Sequence, residues 1–277
     1  MNRIRFQLVT GMLALTASAY ASGIIVDNDE WTLSNAGFAS EGTTNGTNYA
    51  KNAAMFLTGA SGGDKIWIDS DDFGLDGTDL SSALSAYTLT DTGFSAFTLP
   101  ELEGYSAVFL AGDTLTLAEE TALINYVNTG GSVYVAAGTD QIPGGAAGEA
   151  AQWNAFLNTF SLSLASGFNS VVGNFPTTSS GPVLSGVTQL YYNNGNSVSA
   201  TTSSAQIIAT ASRQGMIGIY IESSLRPQSF PSLQQAFLPE SVWPDWDCIE
   251  GNASHRDTAL QQLPPQKPPL RLRTAAV

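Results

Sequence analysis

The stretch from Leu102 to Gly138 constrains the fold of this chain more than any other. Its first part, Ser106 to Gly112, is an apolar run without alternation, which is typical of a strand covered on both faces in a parallel sheet. Thr116 and Glu119 match a capping box at the start of a helix, and Ser132 to Ala136 is a β-branched and aromatic run that favours a second strand. We therefore predict a right-handed βαβ unit.

The helix of this unit is predicted to be amphipathic. Its buried stripe is expected to contain Leu117, Leu123, Ile124 and Val127. The pair Gly130-Gly131 supplies the positive φ that ends a helix. The unit is therefore closed by signals at both ends of its helix.

Further strands and helices are predicted on both sides of the unit, and their alternation indicates an α/β fold with a mostly parallel sheet. Asn28 to Asn48 is polar and rich in small residues, and is predicted to be a loop. The aromatic stripe Trp153, Phe156, Leu157 and Phe160 is interpreted as core packing. The other predicted elements are strands at Gly23 to Asp27, Lys65 to Asp69, Thr88 to Thr90, Gln206 to Thr210 and Met216 to Ile221, and helices at Tyr49 to Thr58, Asp79 to Tyr87 and Ala146 to Phe160.

The amino terminus has the pattern of a secretory signal peptide. Arg3 and Arg5 precede the apolar run Leu8 to Ala17, and small residues place the predicted cleavage before Ser22, so residues 1–21 are expected to be removed. No later stretch approaches the roughly 18 apolar residues of a membrane span. We predict a mature chain without a membrane span that is secreted, periplasmic or at the cell surface.

The charge of the chain is concentrated in residues 22–222. This part has 19 acidic residues but only three basic residues, Lys51, Lys65 and Arg213, which gives a net charge of −16. Because phosphate-backbone binding depends on Lys and Arg, we predict no nucleic-acid binding.

Residues 223–277 differ in character from the rest of the chain. They hold eight of the 12 prolines and the only cysteine and histidine, Cys248 and His255. Dense proline prevents regular structure, so this tail is predicted to be disordered or loosely docked and dispensable to the fold. It is either a native extension or a frame-shifted end, and 22–222 is predicted to be the α/β domain.

A set of residues in and after the central unit forms a recognisable pattern: Leu102, Gly104 to Val108, Leu115-Thr116, Leu123, Tyr126-Val127, Gly130 to Val133, Gly181 to Val183 and Gly186-Val187. This pattern resembles the class I glutamine amidotransferase-like superfamily, in particular its trehalose-utilisation-type branch. The resemblance implies a flavodoxin-like three-layer sandwich, in an exported bacterial member.

Catalytic members of that superfamily place a cysteine in the turn after the strand equivalent to Ser132 to Ala136, with a histidine and a glutamate further on. Here the turn reads Gly138-Thr139-Asp140, and residues 22–222 contain neither Cys nor His. The resemblance therefore implies a domain without amidotransferase chemistry. We predict a binding or cell-surface role for it.

Carboxylates follow several predicted strands, and the carboxyl ends of parallel strands border the ligand crevice of an α/β sheet. Oxygen ligands without imidazole or thiolate are typical of a hard cation, and therefore Ca²⁺ is the predicted ion. In the alternative interpretation these residues cap helices, begin turns and solvate an acidic surface. The predicted metal ligands are Asp27, Asp71, Asp72 and Asp113, and the predicted crevice residues are Asp29, Glu30, Trp31, Thr139 and Asp140.

Paired carboxylates could also act as general acid and base on a glycosidic bond, with Trp31 or Trp67 stacking on a sugar. The competing hypothesis is therefore an exported hydrolase acting on carbohydrate. In either case the ligand is expected to be a carbohydrate or a partner at the cell surface.

Overall fold

The computed structural model describes residues 22–177 and 181–222; the predicted signal peptide and tail lie outside these ranges. None of the helices described is long and apolar enough to cross a membrane. The strands are β1 (Gly23–Asp27), β2 (Lys65–Ser70), β3 (Thr88–Asp91), β4 (Ala107–Ala111), β5 (Ser132–Ala136), β6 (Leu162–Phe168), β7 (Val172–Pro176), β8 (Gln189–Asn193), β9 (Asn196–Ala200), β10 (Ala205–Ala211) and β11 (Gln214–Ile221). The α-helices are α1 (Asn35–Glu41), α2 (Thr43–Thr58), α3 (Thr78–Ala83), α4 (Leu99–Leu102), α5 (Leu117–Asn128) and α6 (Gly145–Leu157).

A seven-stranded sheet with the order β10-β11-β1-β5-β4-β2-β3 forms the centre of the molecule. The strands from β1 to β3 in this order pair in parallel, whereas β11 is antiparallel to both β1 and β10. Helices cover both faces. The predicted α/β three-layer sandwich with a mostly parallel sheet is confirmed.

The five parallel strands have the spatial order of a flavodoxin-like sheet with altered connectivity. Their order is β3-β2-β4-β5-β1. If β2 is counted as the first strand, this becomes the flavodoxin order 2-1-3-4-5, with the amino-terminal strand β1 in the fifth place. β1 therefore lies beside β5, and this brings the chain that follows β1 close to the turn that follows β5.

Alternate residues of the central strands enter two separate cores, as the period of a β-strand requires. Ile25 packs on one face together with Tyr49 of α2 and Leu80 of α3. Val26 packs on the other face with Leu123 of α5, and helix α6 joins the same core. Strands covered on both faces have no exposed side, which explains the continuous apolar runs in the sequence.

The predicted βαβ unit is confirmed as β4, α5 and β5. Thr116 and Glu119 form the capping box: Glu119 Oε2 accepts hydrogen bonds from the Thr116 backbone N–H at 2.8 Å and from its hydroxyl at 2.7 Å. Leu123 and Val127 are buried. The prediction for Leu117 was wrong, because this first residue of the helix is 77% exposed and points away from the sheet.

The segment Asn28 to Asn48, predicted to be a loop, is largely helical. It contains a 3-10 turn (Glu30–Leu33), helix α1 and the beginning of α2. Ser34 caps α1 by accepting a hydrogen bond from the Gly37 backbone at 3.0 Å. Low intrinsic propensity is overridden here by tertiary packing, since Phe38 of α1 lies in the core.

The remaining strands form two hairpin-like pairs that the sequence did not reveal. β6 pairs with β9 and β7 pairs with β8, both antiparallel. β7 has no buried residue, β8 alternates between buried and half-buried residues, and β9 consists largely of Ser and Asn, so none of the three has a strong strand signal. By contrast, the aromatic stripe of α6 and the turn after it is buried as predicted: Trp153, Phe156, Leu157 and Phe160.

Candidate functional site

The carboxyl ends of β1, β2, β4 and β5 meet at one edge of the sheet. The chain leaves β1 and β2 toward the face covered by α1–α3, and leaves β4 and β5 toward the face covered by α5 and α6. Neighbouring strands therefore send the chain in opposite directions at two places, between β2 and β4 and between β5 and β1. Ligand crevices of open α/β sheets form at such switch points.

Glu30 and Asp72 form a carboxyl pair at this edge. Glu30 is 6% exposed and Asp72 is fully buried. Their carboxyl groups are in hydrogen-bonding contact, which requires a proton on one of the two. Burial, this contact and the negative charges of Asp72, Asp29 and Glu149 raise the pKa of Glu30 to about 10. Near neutral pH Glu30 therefore holds a proton.

The protein supplies backbone and amide donors to Asp72 but none to Glu30 Oε2. Asp72 Oδ1 accepts a hydrogen bond from the Gly74 N–H, and Oδ2 accepts one from the Gln141 side-chain amide, each at 2.7 Å. Glu30 Oε2 is buried and receives no hydrogen bond from an N–H or O–H group. Gly74 is required at this turn because a Cβ atom would lie 2.5 Å from the backbone oxygen of Glu30.

Glu149 of α6 adds a second carboxyl oxygen that lacks a donor. It is fully buried, and its Oε1 accepts hydrogen bonds from the Thr139 N–H at 3.2 Å and the Thr139 hydroxyl at 3.1 Å. Its Oε2 is buried without a partner. Burial raises the pKa of Glu149 to about 7, with the hydrogen bonds from Thr139 opposing the shift. We call the site formed by Glu30, Asp72, Gln141 and Glu149 the strand-end crevice.

The turn after β5 places Thr139 beside this crevice. Gly138 has a φ of +74°, and a Cβ atom on it would lie 2.7 Å from Gly195 and 2.8 Å from the Asn28 backbone oxygen. Glycine is therefore needed for the close approach of three loops. Thr139 is nearly buried and its hydroxyl is occupied by Glu149, so this side chain positions Glu149.

Aromatic rings lie next to the carboxyl pair. Trp31 directly follows Glu30 and Phe73 directly follows Asp72, and their ring centroids are 5.0 Å apart at an angle of 74°. Tyr191 lies 6.2 Å from Trp31. Phe73 is 45% exposed and Trp31 is half-buried. The rings therefore form an open aromatic corner in contact with solvent.

Asp27 belongs to the core below the crevice. It is fully buried, and its carboxyl group accepts hydrogen bonds from the hydroxyls of Tyr49 at 2.9 Å, Tyr134 at 3.1 Å and Thr32 at 3.3 Å. Burial raises its pKa to about 7, although the Tyr49 hydrogen bond opposes the shift. Because three hydroxyls donate hydrogen bonds to its carboxyl group, we assign Asp27 a structural role.

Asp29 also has a local structural role. Its Oδ1 accepts a hydrogen bond from the Trp31 N–H at 2.9 Å and caps the 3-10 turn, and its Oδ2 accepts one from the Asn193 N–H. Burial raises its pKa to about 6, and these backbone hydrogen bonds limit the shift. Asp29 therefore ties the turn after β1 to the end of β8.

The remaining predicted residues lie around the rim. Asp71 and Asp140 are exposed, and Asp140 has a φ of +54°. Asp113 is half-buried, and burial together with the charge of Asp69 raises its pKa to about 6.

The predicted Ca²⁺ ligands do not form one group. Within residues 22–177 and 181–222, no three or more His, Cys, Asp or Glu side chains are arranged to hold a metal ion. Asp27 faces three hydroxyls in the core, and Asp71 faces solvent. Asp113 lies near Asp69, whose negative charge raises its pKa. The shared edge of the sheet was predicted correctly, but side-chain direction separates these carboxylates. Binding of Ca²⁺ itself stays a prediction.

Sequence reasoning missed Glu149 and Gln141. Glu149 carried a usable signal, because it lies at helical spacing from Ala146, Ala150 and Trp153 and thus on the buried stripe of α6. A charged residue at a core position is costly without partners and marks a special environment. Gln141 had no such signal, since it is exposed and its bond to Asp72 joins residues that are distant in the sequence.

Comparisons of the chain with protein-family models, with curated proteins and with solved structures gave no match.

Proposed function

We propose that residues 22–222 form an exported, non-catalytic domain of the amidotransferase-like kind that binds a ligand at the strand-end crevice. One observation carries the proposal: buried carboxyl oxygens of Glu30 and Glu149 lack hydrogen-bond donors beside an open aromatic corner. A buried acceptor without a donor is costly, and such groups in native proteins call for an explanation. A ligand that supplies donors explains both oxygens.

The residues at the turn after β5 support a binding role over amidotransferase chemistry. The turn offers the hydroxyl of Thr139 in place of a thiol, and this hydroxyl is hydrogen-bonded to a buried carboxyl group. Residues 22–222 supply no histidine to act as a base. A nucleophile with an adjacent general base is therefore missing from this part of the chain.

The competing hydrolase hypothesis finds less support in the geometry. Glycosidases separate their two carboxyl groups by about 5 to 9.5 Å, whereas Glu30 and Asp72 are in hydrogen-bonding contact. Trp67, the other predicted sugar platform, lines a separate cavity of about 480 Å³. The carboxylate of that cavity, Glu101, is occupied in capping α4 through Thr98.

The proposal is tested by thermal shift on the full exported chain with panels of sugars, amines and esters, each also assayed for turnover. We expect at least one class to raise the melting temperature without turnover. The stabilisation should be lost in Glu30→Gln and Trp31→Ala but kept in Asp71→Asn, which removes an exposed carboxylate beside the same turn. Turnover that disappears in Glu30→Gln would show a hydrolase instead. Absence of binding by all three classes would contradict a ligand site in the crevice.

A further inference from the structure

Resting on the proposed function, we propose that the crevice recognises an organic cation, a primary ammonium or guanidinium group, which contacts the carboxyl groups of Glu30 and Asp72 and the rings of Trp31 and Phe73. Four properties of the crevice support this class of ligand. They are its charge, its lack of free donors, its exposed aromatic ring and its bound proton.

The charges that act on the crevice are negative. The electrostatic contributions at Glu30 come from Asp72, Asp29 and Glu149, and those at Glu149 include Asp72. Lys65 begins β2 and so lies at the opposite edge of the sheet. A neutral ligand would leave the mutual repulsion of these carboxylates in place, whereas a cation reduces it.

The crevice is rich in acceptors and poor in donors. Its side-chain donors are already engaged: the amide of Gln141 bonds Asp72, the hydroxyl of Thr139 bonds Glu149, and the proton held by Glu30 is shared with Asp72. An ammonium group offers three donors and no acceptor, and a guanidinium group offers five. Both match a site in which Glu30 Oε2 and Glu149 Oε2 are buried without donors. Gln141 is exposed, and a cation that enters beside it takes over its bond to Asp72.

The aromatic corner offers a ring surface to a cation. Trp31 and Phe73 meet edge to face at 74° with centroids 5.0 Å apart, and Tyr191 is tilted at 59° to Trp31. Phe73 is 45% exposed, so its ring is open to a cation–π contact beside the carboxyl groups.

Proton release distinguishes a cation from every neutral ligand. Glu30 holds a proton near neutral pH because burial and the surrounding carboxylates disfavour its charged form. A bound cation favours that charged form, so binding should release a proton and tighten as pH rises. The groups facing Glu30 that must be considered are Asp29, Asp72 and Glu149, and all three favour cation binding in their ionised forms.

The experiment is isothermal titration calorimetry of the full exported chain with n-butylammonium, n-butylguanidinium and, as the neutral match, 1-butanol. Each titration is run at constant ionic strength in two buffers that differ in ionisation enthalpy. We expect the cations to bind with release of a proton and with affinity that increases from about pH 6 to about pH 9. The alcohol should bind at least about tenfold more weakly, as the loss of a charge-assisted hydrogen bond implies.

Variants complete the test. Glu30→Gln should abolish proton release and weaken cation binding about tenfold, and Asp71→Asn should behave as the parent chain. Phe73→Ala, at an exposed position, keeps the test decisive if Glu30→Gln fails to fold. It should lower the affinity for the cations more than the affinity for 1-butanol. Sugar binding without proton release would overturn the cation proposal while supporting the binding function. Failure of cations, sugars and esters alike would overturn both.

Discussion

Asp27 and Glu30 are close in the sequence, both are buried carboxyl groups with a raised pKa, and yet their surroundings differ fundamentally. Asp27 accepts hydrogen bonds from three hydroxyls, whereas Glu30 faces other carboxyl groups and its Oε2 lacks a donor. The comparison teaches that burial and pKa alone do not identify a binding site. What separates a structural acid from a candidate ligand site is whether the fold supplies the donors.

The largest expected effect is a loss of stability as pH rises. The pKa is raised to about 7 for Asp27 and Glu149, to about 8 for Glu41 and to about 10 for Glu30. The folded state thus binds more protons than the unfolded chain, so the free energy of unfolding is greatest below about pH 4 to 5 as far as these groups are concerned. It should fall by up to about 1.4 kcal/mol per pH unit for each group until its folded-state pKa is reached.

Urea unfolding between about pH 5 and pH 9 measures this dependence. The same scan in 1 M NaCl is the control for general charge repulsion, which salt screens while burial remains. A free energy of unfolding that increases over this pH range would contradict the raised pKa values of Asp27, Glu30, Glu41 and Glu149.

The next effect concerns Asp27. Replacement by Ala leaves the buried hydroxyls of Tyr49 and Tyr134 without their acceptor, and should lower the free energy of unfolding by about 3 kcal/mol. Asp27→Asn is the matched control, since it keeps an oxygen for the two tyrosines and should cost less than about 1 kcal/mol. Urea unfolding at acidic pH measures both variants. Asp27 is protonated at that pH, so equal losses would mean that its role as a hydrogen-bond acceptor does not hold the core.

Replacement of Glu30, in contrast, is expected to raise the free energy of unfolding. Glu30→Gln removes a group that must be protonated to stay buried, and its amide can donate to Asp72. At about pH 8 we expect a gain of roughly 1 to 3 kcal/mol, and near pH 5 almost no change. A difference in melting temperature between the two pH values checks this. If Glu30→Gln destabilised the fold at both, Glu30 would belong with Asp27 among the structural acids.

The smallest expected effect is that of Ca²⁺. Because Asp27, Asp71, Asp72 and Asp113 do not converge on one point, melting curves in chelator and in millimolar Ca²⁺ should nearly coincide at matched ionic strength. A ligand at a hundredfold excess over its Kd would add about 2.7 kcal/mol. A shift of that size would restore the calcium site predicted from the sequence, with Mg²⁺ as the weaker control ion.

Several residues of the site could be predicted from the sequence, and each success or failure has its own physical reason. Glu30, Trp31, Asp72 and Thr139 were placed at the crevice because residues that follow parallel strands share an edge. Glu149 was missed although its position on the buried stripe of α6 was visible. The grouping of Asp27 and Asp113 with Asp72 failed because the sequence pattern gives the edge and not the direction of each side chain.

The sequence by itself determined the elements whose signals are local. These are the apolar runs of β1, β4 and β5, the capping box of Thr116 and Glu119, the strong negative charge and the lack of Cys and His in residues 22–222. Each depends on contacts within a few residues or on composition, so no knowledge of distant partners is needed.

Only the tertiary structure decided which acids are satisfied. Tyr134 reaches Asp27 across 107 positions of the chain, and Gln141 reaches Asp72 across 69. These contacts exist because β1 pairs with β5, and because β4 pairs with both β2 and β5. Strand order is a property of long-range packing, and local periodicity is the same for any order of strands covered on both faces. The fold therefore supplied donors to Asp27 and left Glu30 Oε2 and Glu149 Oε2 buried without donors.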